Sequence, residues 1–298
     1  MGKENKQHAF KEGAFKVEPG KKFRLADRDP GDTGGLKGKQ AGRKALGDDI
    51  SALAGAQELL WANGTRSVLI IFQALDAAGK DGSIKHVMSG VNPQGVDVTS
   101  FKAPNSEELK HHFLWRPMQH LPARGRIAIF NRSYYEEVLV VRVHPEFLDA
   151  QVIPSRLKGK PLEKLWKARF EEIHRFEQHL ADNDITVIKF FLNVSKDEQR
   201  ERFLDRLNEP GKLWKFSGAD LKERGYWDEY QKVYEEMLTA TSSEAAPWYV
   251  IPADHKWYAR AAIADIIAQR IGELGLEPPK PSEEQEAKRE EWRKALEE

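Results

Sequence analysis

The fold class follows from residues 68–83, whose sequence is VLIIFQALDAAGKDGS. An apolar run typical of a buried strand leads into a loop of small residues, and Gly79-Lys80 then opens a helical pattern. This order is the context of a phosphate-binding loop, because backbone N–H groups and a helix N-terminus both attract anions. The usual G-x-x-x-x-G-K pattern followed by Ser or Thr is not met, since Ala74 and Asp81 replace two consensus residues. An ordinary strand–helix turn that carries a lysine is the alternative.

The rest of the chain alternates short apolar runs with helical patterns. Further strands are predicted at 96–101, 127–130, 186–194 and 248–251. Helical patterns lie at about 40–61, 80–90, 106–120, 161–183, 196–208, 220–240 and 256–274. Buried strands separated by helices predict an α/β fold with a five-stranded, mostly parallel sheet. Ligands of such a sheet bind at the carboxyl ends of its strands, so the residues that follow each strand are the candidate site.

Composition limits the function classes. The chain has 298 residues, with 47 Lys and Arg against 47 Asp and Glu, and no Cys. These values exclude a disulfide framework and a cysteine nucleophile, and they argue against a general nucleic-acid or membrane binder, which needs a positive excess. The charged N-terminus and the shortness of the apolar runs predict neither a signal peptide nor a membrane helix. We therefore expect a cytoplasmic protein without nucleic-acid or membrane partners.

The loop at 74–83 carries residues suited to a nucleotide or phosphate enzyme. Lys80 can reach a terminal phosphate as a mobile cation. A carboxylate inside a phosphate loop repels its ligand unless a cation intervenes, so Asp76 is expected to hold Mg²⁺ directly or through water. Asp81 can supply a second carboxylate, or it can be an acid that stabilises a helix N-terminus.

A second candidate group follows the strand at 127–130. Asn131 stands where many phosphate-loop enzymes have an acidic metal anchor, and an amide there can still orient water or a metal. Arg132 is placed to neutralise charge that develops on a transferred phosphoryl group. The alternative is a structural pair between Arg132 and Glu136 or Glu137.

The loop at 76–82 and the segment 131–137 together resemble the polyphosphate kinase 2 family. The likeness extends over about 31–275 and includes Leu114-Trp115-Arg116, Ser195–Arg200, Trp214-Lys215-Phe216 and Ala246–Pro252. The resemblance implies a three-layer, thymidylate-kinase-like P-loop kinase fold with helices on both faces and a helical lid. It also implies Mg²⁺, inorganic polyphosphate as donor and a nucleotide as acceptor. The Asn-Arg-Ser-x-Tyr-Glu form at 131–136 is similar to the subclass that accepts both monophosphates and diphosphates.

Composition and the resemblance together predict the division of the chain. Residues 1–37, rich in Gly, Lys and Asp, form an irregular N-terminal arm, and the charged residues 279–298 form a C-terminal helix or tail. The kinase domain occupies 38–278, and the resemblance implies a lid at about 205–226. AMP, ADP and ATP are the implied nucleotides, with their guanine counterparts left open, and a homo-oligomer is implied as well. Polyphosphate carries about one negative charge per phosphate, so it needs a line of cations.

The candidate site residues fall into four groups. The catalytic candidates are Asp76, Lys80, Arg132 and Glu137, and the metal candidates are Asp76 and Glu137. Nucleotide binding is expected of Asn131, Arg132 and Glu136, where the resemblance places Glu136 near the base and Glu137 near the acceptor phosphates and metal. Phosphate or polyphosphate binding is expected of Ala77, Ala78, Gly79, Lys80, Asp81, Gly82, Lys85, Arg202, Arg206, Lys212 and Lys215. For Arg202 the alternative is a solvated helix with an i,i+4 pair to Glu198.

The leading hypothesis is a Mg²⁺-dependent, reversible polyphosphate:nucleotide phosphotransferase. An ATP-dependent monophosphate kinase shares the fold and the loop, and a non-catalytic polyphosphate- or nucleotide-binding module is a third possibility. The balanced total charge then predicts an uneven surface, with a positive channel that leads to Lys80.

Overall fold

The computed structural model describes residues 10–298, and its centre is a five-stranded sheet. The strands are β1 (Ser67–Gln73), β2 (Val96–Ser100), β3 (Ile127–Asn131), β4 (Ile185–Asn193) and β5 (Trp248–Pro252). They lie in the order β2-β3-β1-β4-β5, and every neighbouring pair is parallel. The predicted α/β class and the strand count are confirmed, and each predicted strand end falls within one residue of the observed end.

Helices cover both faces of this sheet. They are α1 (Gly38–Asn63), α2 (Lys80–Val87), α3 (Trp115–Met118), α4 (Val140–Val143), α5 (Leu162–Asp182), α6 (Lys196–Asn208), α7 (Gly218–Gly225), α8 (Trp227–Thr241), α9 (Lys256–Gly272) and α10 (Glu283–Glu297). One apolar cluster packs α1, α2 and α9 on one face of the sheet. A second cluster packs α5 and α8 on the other face. The architecture therefore has three layers, as expected.

The central strand is the most deeply buried part of the sheet. All seven residues of β1 are buried, which explains why its sequence is apolar on both faces. Parallel pairing with β3 on one side and β4 on the other brings the carboxyl ends of three strands to one edge. The loop between β1 and α2 leaves the sheet at the middle of that edge.

Two predicted helical patterns differ from the structure. Residues 106–120 form only a 3₁₀ turn at Glu108–Lys110 and the short α3. A continuous helix would place Pro117 in its interior, where proline lacks an N–H and clashes with the preceding turn, whereas α3 keeps Pro117 in its first turn. The pattern at 220–240 is interrupted at Gly225-Tyr226 and forms α7 and α8.

The N-terminal segment pairs with the edge of the sheet, whereas the C-terminal helix has no buried residue. Val17 N–H donates to Trp248 O and Val250 N–H donates to Phe15 O, so this segment runs antiparallel along the edge strand β5. Residues 1–9 of the predicted arm lie outside the described residues. Helix α10 has no buried residue. Within residues 10–298, no helix combines the length and the apolar character that a membrane crossing requires.

Candidate active site

The β1–α2 loop, residues 74–79, turns sharply between the sheet and α2. Ala77 has φ 62° and Gly79 has φ 107°, and the left-handed conformation at Gly79 carries no side-chain penalty. Lys80 folds back so that its Nζ donates to Ala74 O at 2.8 Å and to Leu75 O at 3.4 Å. Burial lowers the pKa of Lys80 to about 8, and the charge of Arg132 acts in the same direction.

The end of β3 is bonded to this loop through two adjacent side chains. Arg132 Nη2 lies 2.7 Å from Asp76 Oδ1, and Asn131 Nδ2 donates to Asp81 Oδ1 at 2.7 Å. Arg132 has φ 62°, and its N–H donates to Phe72 O, which fixes the turn against β1. The ion-pair partner of Arg132 is thus Asp76. The alternative in which Arg132 forms a structural ion pair with Glu136 or Glu137 is wrong.

The two glutamates that follow β3 have different surroundings. They lie in a 3₁₀ turn, Tyr134–Val138, which Ser133 caps. Glu136 accepts a hydrogen bond from Gln73 Nε2 at 2.8 Å. Glu137 is buried, accepts from Gln151 Nε2 at 2.9 Å, and lies 3.2 Å from Arg169 Nη1. The carboxylate of Glu137 is therefore neutralised by Arg169 in this structure.

The carboxylates suit Mg²⁺ unequally. Among residues 10–298, no group of three or more His, Asp or Glu side chains is arranged to hold a metal ion. Mg²⁺ in phosphoryl-transfer sites takes one or two carboxylates and completes its shell with phosphate oxygens and water. Asp76 and Asp81 fit this pattern, since both line the cavity above the β1–α2 loop. Glu137 does not line that cavity, and its metal role stays a prediction.

A cavity of about 600 Å³ lies above the β1–α2 loop, and we call it the basic cavity. Eight cationic side chains line it, namely Lys80, Lys102, Arg132, Arg202, Arg206, Lys212, Lys215 and Lys256, against four aspartates, Asp76, Asp81, Asp205 and Asp220. Such an excess of positive charge in a cleft attracts polyanions. Ala77, Gly79 and Gly82 also line it, whereas Ala78 and Lys85 do not.

The predicted cations on and after α6 differ in how many of their hydrogen-bond donors are already used within the protein. Arg206 lies 3.8 Å from Asp220 and donates to Lys215 O. Lys212 pairs with Glu209 at 2.6 Å. Arg202 is buried and donates to Glu198 and to four backbone carbonyls, so the pair with Glu198 exists but the helix face is not solvated.

A second cavity of about 450 Å³ adjoins the first, and we call it the acidic cavity. Both cavities are lined by Asp76 and Arg132, which lie where the two meet. Seven acids line the acidic cavity, namely Asp76, Glu136, Glu137, Glu146, Asp149, Asp220 and Glu223, together with the aromatic residues Phe101, Phe147, Trp227, Tyr230 and Tyr234. Asn131 lines only the basic cavity.

Several lining residues were missed by the sequence analysis. Lys102 follows β2 and Lys256 follows β5, so the rule about strand ends could have found both. Phe147 and Glu146 lie in an irregular 3₁₀ segment, Pro145–Ala150, which carries no periodic signal. Tyr230 and Tyr234 lie four residues apart, a spacing typical of helix packing, and they are buried on α8 while they also line the acidic cavity.

Comparisons with known proteins agree with this geometry. The family model described as polyphosphate kinase 2 matches residues 37–275. An ADP-polyphosphate phosphotransferase of Rhodopseudomonas palustris is 51% identical over 242 residues, which cover 81% of this chain and 83% of the relative. An AMP/ADP-polyphosphate phosphotransferase of Meiothermus ruber is 44% identical over 268 residues, covering 90% and 95%. The crystal structure of polyphosphate kinase 2 from Arthrobacter aurescens TC1 superposes with a TM-score of 0.82 at 40% identity, covering 93% of this chain and 94% of that one.

Proposed function

The chain belongs to the polyphosphate kinase 2 family, and on this premise we propose that it transfers the terminal phosphoryl group of inorganic polyphosphate to AMP or ADP. The observation that carries the proposal is the basic cavity above the β1–α2 loop, where seven cations besides the buried Arg202 line the space for a ligand. A polyanion with about one charge per phosphate needs such a line of cations, whereas a single small anion does not.

The two cavities supply a donor side and an acceptor side. Polyphosphate occupies the basic cavity, and the nucleotide occupies the acidic cavity, where aromatic walls can stack on the base. The acceptor phosphate then meets the donor end beside Arg132, which lines both cavities. Glu136 and Glu137 line the acidic cavity, which is compatible with the expected base and acceptor-phosphate contacts.

The reaction is an in-line displacement at phosphorus. A terminal phosphate oxygen of AMP or ADP attacks the end phosphorus of polyphosphate, the new P–O bond forms, and the bridging P–O bond to the shortened chain breaks. Lys80 and the loop N–H groups hold the transferring phosphates, and Arg132 stabilises charge spread over the equatorial oxygens. Asp76 and Asp81 would hold Mg²⁺, which would supply neutralisation of the phosphate charge. The exchange of one phosphoanhydride bond for another makes the reverse reaction accessible.

The acceptor range rests on the relatives and on the motif at 131–136. The Meiothermus ruber relative is named for both AMP and ADP, and the Rhodopseudomonas palustris relative for ADP. We propose that this chain accepts both nucleotides, because Asn131 matches the subclass that does. Guanine nucleotides as acceptors and ATP as the product or reverse donor belong to the same proposal.

The remaining expectations stay proposals. We propose that residues 205–226, which include the end of α6 and the whole of α7, act as the lid, because Arg206, Lys212 and Lys215 line the basic cavity from this segment. The domain boundaries at 38 and 278, a homo-oligomer and a cytoplasmic location also stay predictions.

The ATP-dependent monophosphate kinase is the weaker alternative. Its donor carries only a triphosphate, and the number of cations in the basic cavity exceeds what that group needs. A non-catalytic binding module is disfavoured because Asp76, Lys80 and Arg132 all line the basic cavity.

One assay tests the proposal. Purified protein is incubated with Mg²⁺, long-chain polyphosphate and either AMP or ADP, and the nucleotides are separated by ion-exchange chromatography. The expected result is ADP from AMP and ATP from ADP. Formation of ADP from AMP with ATP as donor, but no product with polyphosphate, would contradict it.

A further inference from the structure

The backbone of the β1–α2 loop is fixed by side chains of α6. Gln199 Nε2 donates to Asp76 O at 2.9 Å. Arg202 Nη1 donates to Ala77 O at 3.0 Å and to Ala78 O at 2.7 Å. Three consecutive loop carbonyls are therefore held by two residues, one helical turn apart on the same helix.

These bonds decide which way the loop N–H groups face. In a trans peptide the carbonyl and the N–H point in opposite directions. Holding the carbonyls of Asp76 and Ala78 toward α6 therefore turns the N–H groups of Ala77 and Gly79 the other way. Both of these residues line the basic cavity, and within the described part of the chain neither N–H has a hydrogen-bond partner. The Ala78 N–H, in contrast, is bonded to Leu75 O.

Arg202 has no donor left for a ligand. Its Nε donates to Glu198 at 2.7 Å, and Nη2 donates to Ala253 O and Asp254 O at 2.5 and 3.1 Å. A guanidinium has five N–H groups, and with the two loop bonds all five are used. Its side chain is 4% exposed. This geometry differs from the direct polyphosphate contact that the sequence suggested for Arg202.

Gln199 connects the same loop to the proposed lid. Its Oε1 accepts a hydrogen bond at 2.9 Å from Nη1 of Arg224, which lies on α7. Arg224 also donates to Lys196 O at the start of α6. The position of α7 is thereby connected through Gln199 to the carbonyl of Asp76.

We propose that Gln199 and Arg202 are positioning residues that hold the β1–α2 loop in its phosphate-accepting conformation, and that neither contacts polyphosphate. The inference rests on the proposed function, since it assigns a role within that reaction. Lysine cannot replace Arg202, because three N–H groups on one nitrogen cannot span carbonyls on both the β1–α2 loop and the segment after β5.

The test compares Arg202→Gln and Arg202→Lys with Arg206→Gln, a matched control one turn further along α6 that has no bond to the loop. Polyphosphate binding is measured by titration calorimetry over a series of KCl concentrations, and kcat is measured with ADP. The slope of log affinity against log salt counts the cations that contact the polyanion, at roughly 0.7–0.9 per charge. Thermal unfolding checks that each variant is folded.

The expected results differ between the two positions. Arg202→Gln lowers affinity about tenfold or more at every salt concentration without changing the slope, and Arg202→Lys loses kcat to a similar extent. Arg206→Gln makes the slope shallower by roughly 0.7–0.9. Gln199→Glu keeps an acceptor for Arg224 but loses the donor to Asp76 O, so its kcat also falls. Wild-type kcat in Arg202→Lys, or a shallower slope in Arg202→Gln, would overturn the proposal.

Two further outcomes are informative. If Arg202→Gln does not fold, the kcat values of Arg202→Lys and Gln199→Glu decide the question by themselves. If the wild-type protein neither binds nor uses polyphosphate, the proposed function is wrong, and the same series is then measured with ATP as the phosphate probe. Weaker ATP binding in Arg202→Lys and in Gln199→Glu supports the positioning role, and wild-type binding in both refutes it.

Discussion

The side chains of Arg132 and Asp76 form an ion pair, with Nη2 2.7 Å from Oδ1, where the basic and acidic cavities meet. The pair joins the end of β3 to the β1–α2 loop, and its guanidinium lines both cavities. In the proposed reaction this position lets one guanidinium serve the donor and the acceptor together.

Loss of this guanidinium is expected to affect turnover most. Arg132→Ala removes charge stabilisation that grows in the transition state, so kcat should fall by roughly 10²–10³-fold. Steady-state kinetics with ADP and polyphosphate measure this directly. Arg132→Lys keeps the charge but loses the planar guanidinium, and we expect it to recover only part of the loss. Unchanged kcat in Arg132→Ala would remove Arg132 from the reaction.

The titration of Lys80 gives a pH prediction. Burial, aided by the charge of Arg132, lowers the pKa of Lys80 to about 8, so the ammonium is charged below that pH and neutral above it. The kcat/KM for polyphosphate reports the free enzyme and should therefore decline as the pH rises through about 8. Lys80→Arg replaces the group by one that does not titrate in this range, and the alkaline decline should vanish from its residual activity. An unchanged decline in Lys80→Arg would assign the titration to another group.

Lys256 provides a test of the basic cavity at a position that the sequence analysis missed. It lines the cavity at the start of α9, and it has no salt bridge within residues 10–298. Lys256→Gln should raise the KM for long-chain polyphosphate and make its salt dependence shallower, with no change in the KM for AMP. The control is Lys164→Gln, an exposed lysine on α5, which should leave all three values unchanged. Equal KM values in the two variants would contradict the assignment of the donor side.

The aromatic wall of the acidic cavity gives the matching test for the acceptor. Phe147 lines this cavity and is 49% exposed, which leaves its ring accessible to a base. Base–aromatic stacking contributes about 1–3 kcal/mol, so Phe147→Ala should raise the KM for AMP and ADP by roughly 5–150-fold. Trp292→Ala on α10 is the control for loss of an exposed ring. If Phe147→Ala raised the KM for polyphosphate and left the KM for AMP and ADP unchanged, polyphosphate rather than the nucleotide would be assigned to the acidic cavity.

A buried ion pair beneath the site gives a stability prediction. Lys189 Nζ lies 2.6 Å from Glu177 Oε2, and Glu177 also accepts hydrogen bonds from Tyr134 and Tyr135, which precede Glu136. Lys189→Met leaves the Glu177 carboxylate buried without its cation, at a cost of about 3–5 kcal/mol in the free energy of unfolding. Urea denaturation measures the loss. Adding Glu177→Gln should restore part of it, and a double variant less stable than the single one would refute this explanation.

The sheet and the β1–α2 loop were predictable because their signals are local. Buried parallel strands have continuous apolar sequences, and the Gly79-Lys80 pair follows the strand directly. The pairing of Arg132 with Asp76 was not predictable, since their sequence separation gives no indication that they touch. Only the parallel register of β1 and β3 places them side by side.

Arg202 shows why the remainder of the site could not be predicted. On the sequence, an arginine four residues after Glu198 looks like part of an exposed helix face. In the structure the helix docks on the β1–α2 loop, and the guanidinium is buried among carbonyls from two segments of the chain. Such contacts depend on tertiary packing, and no periodic pattern encodes them. The walls of the acidic cavity at Pro145–Ala150 lack a signal for the same reason.

The central claim is that polyphosphate itself donates the phosphoryl group. The most direct measurement uses polyphosphate labelled with ³²P, unlabelled ADP, Mg²⁺ and the purified protein, with the label located in the products. We predict that ³²P appears in the γ-phosphate of ATP at the rate at which ATP forms, and that Lys80→Ala abolishes both. ATP that forms without label, or no ATP at all while AMP is phosphorylated from ATP, would contradict the assignment.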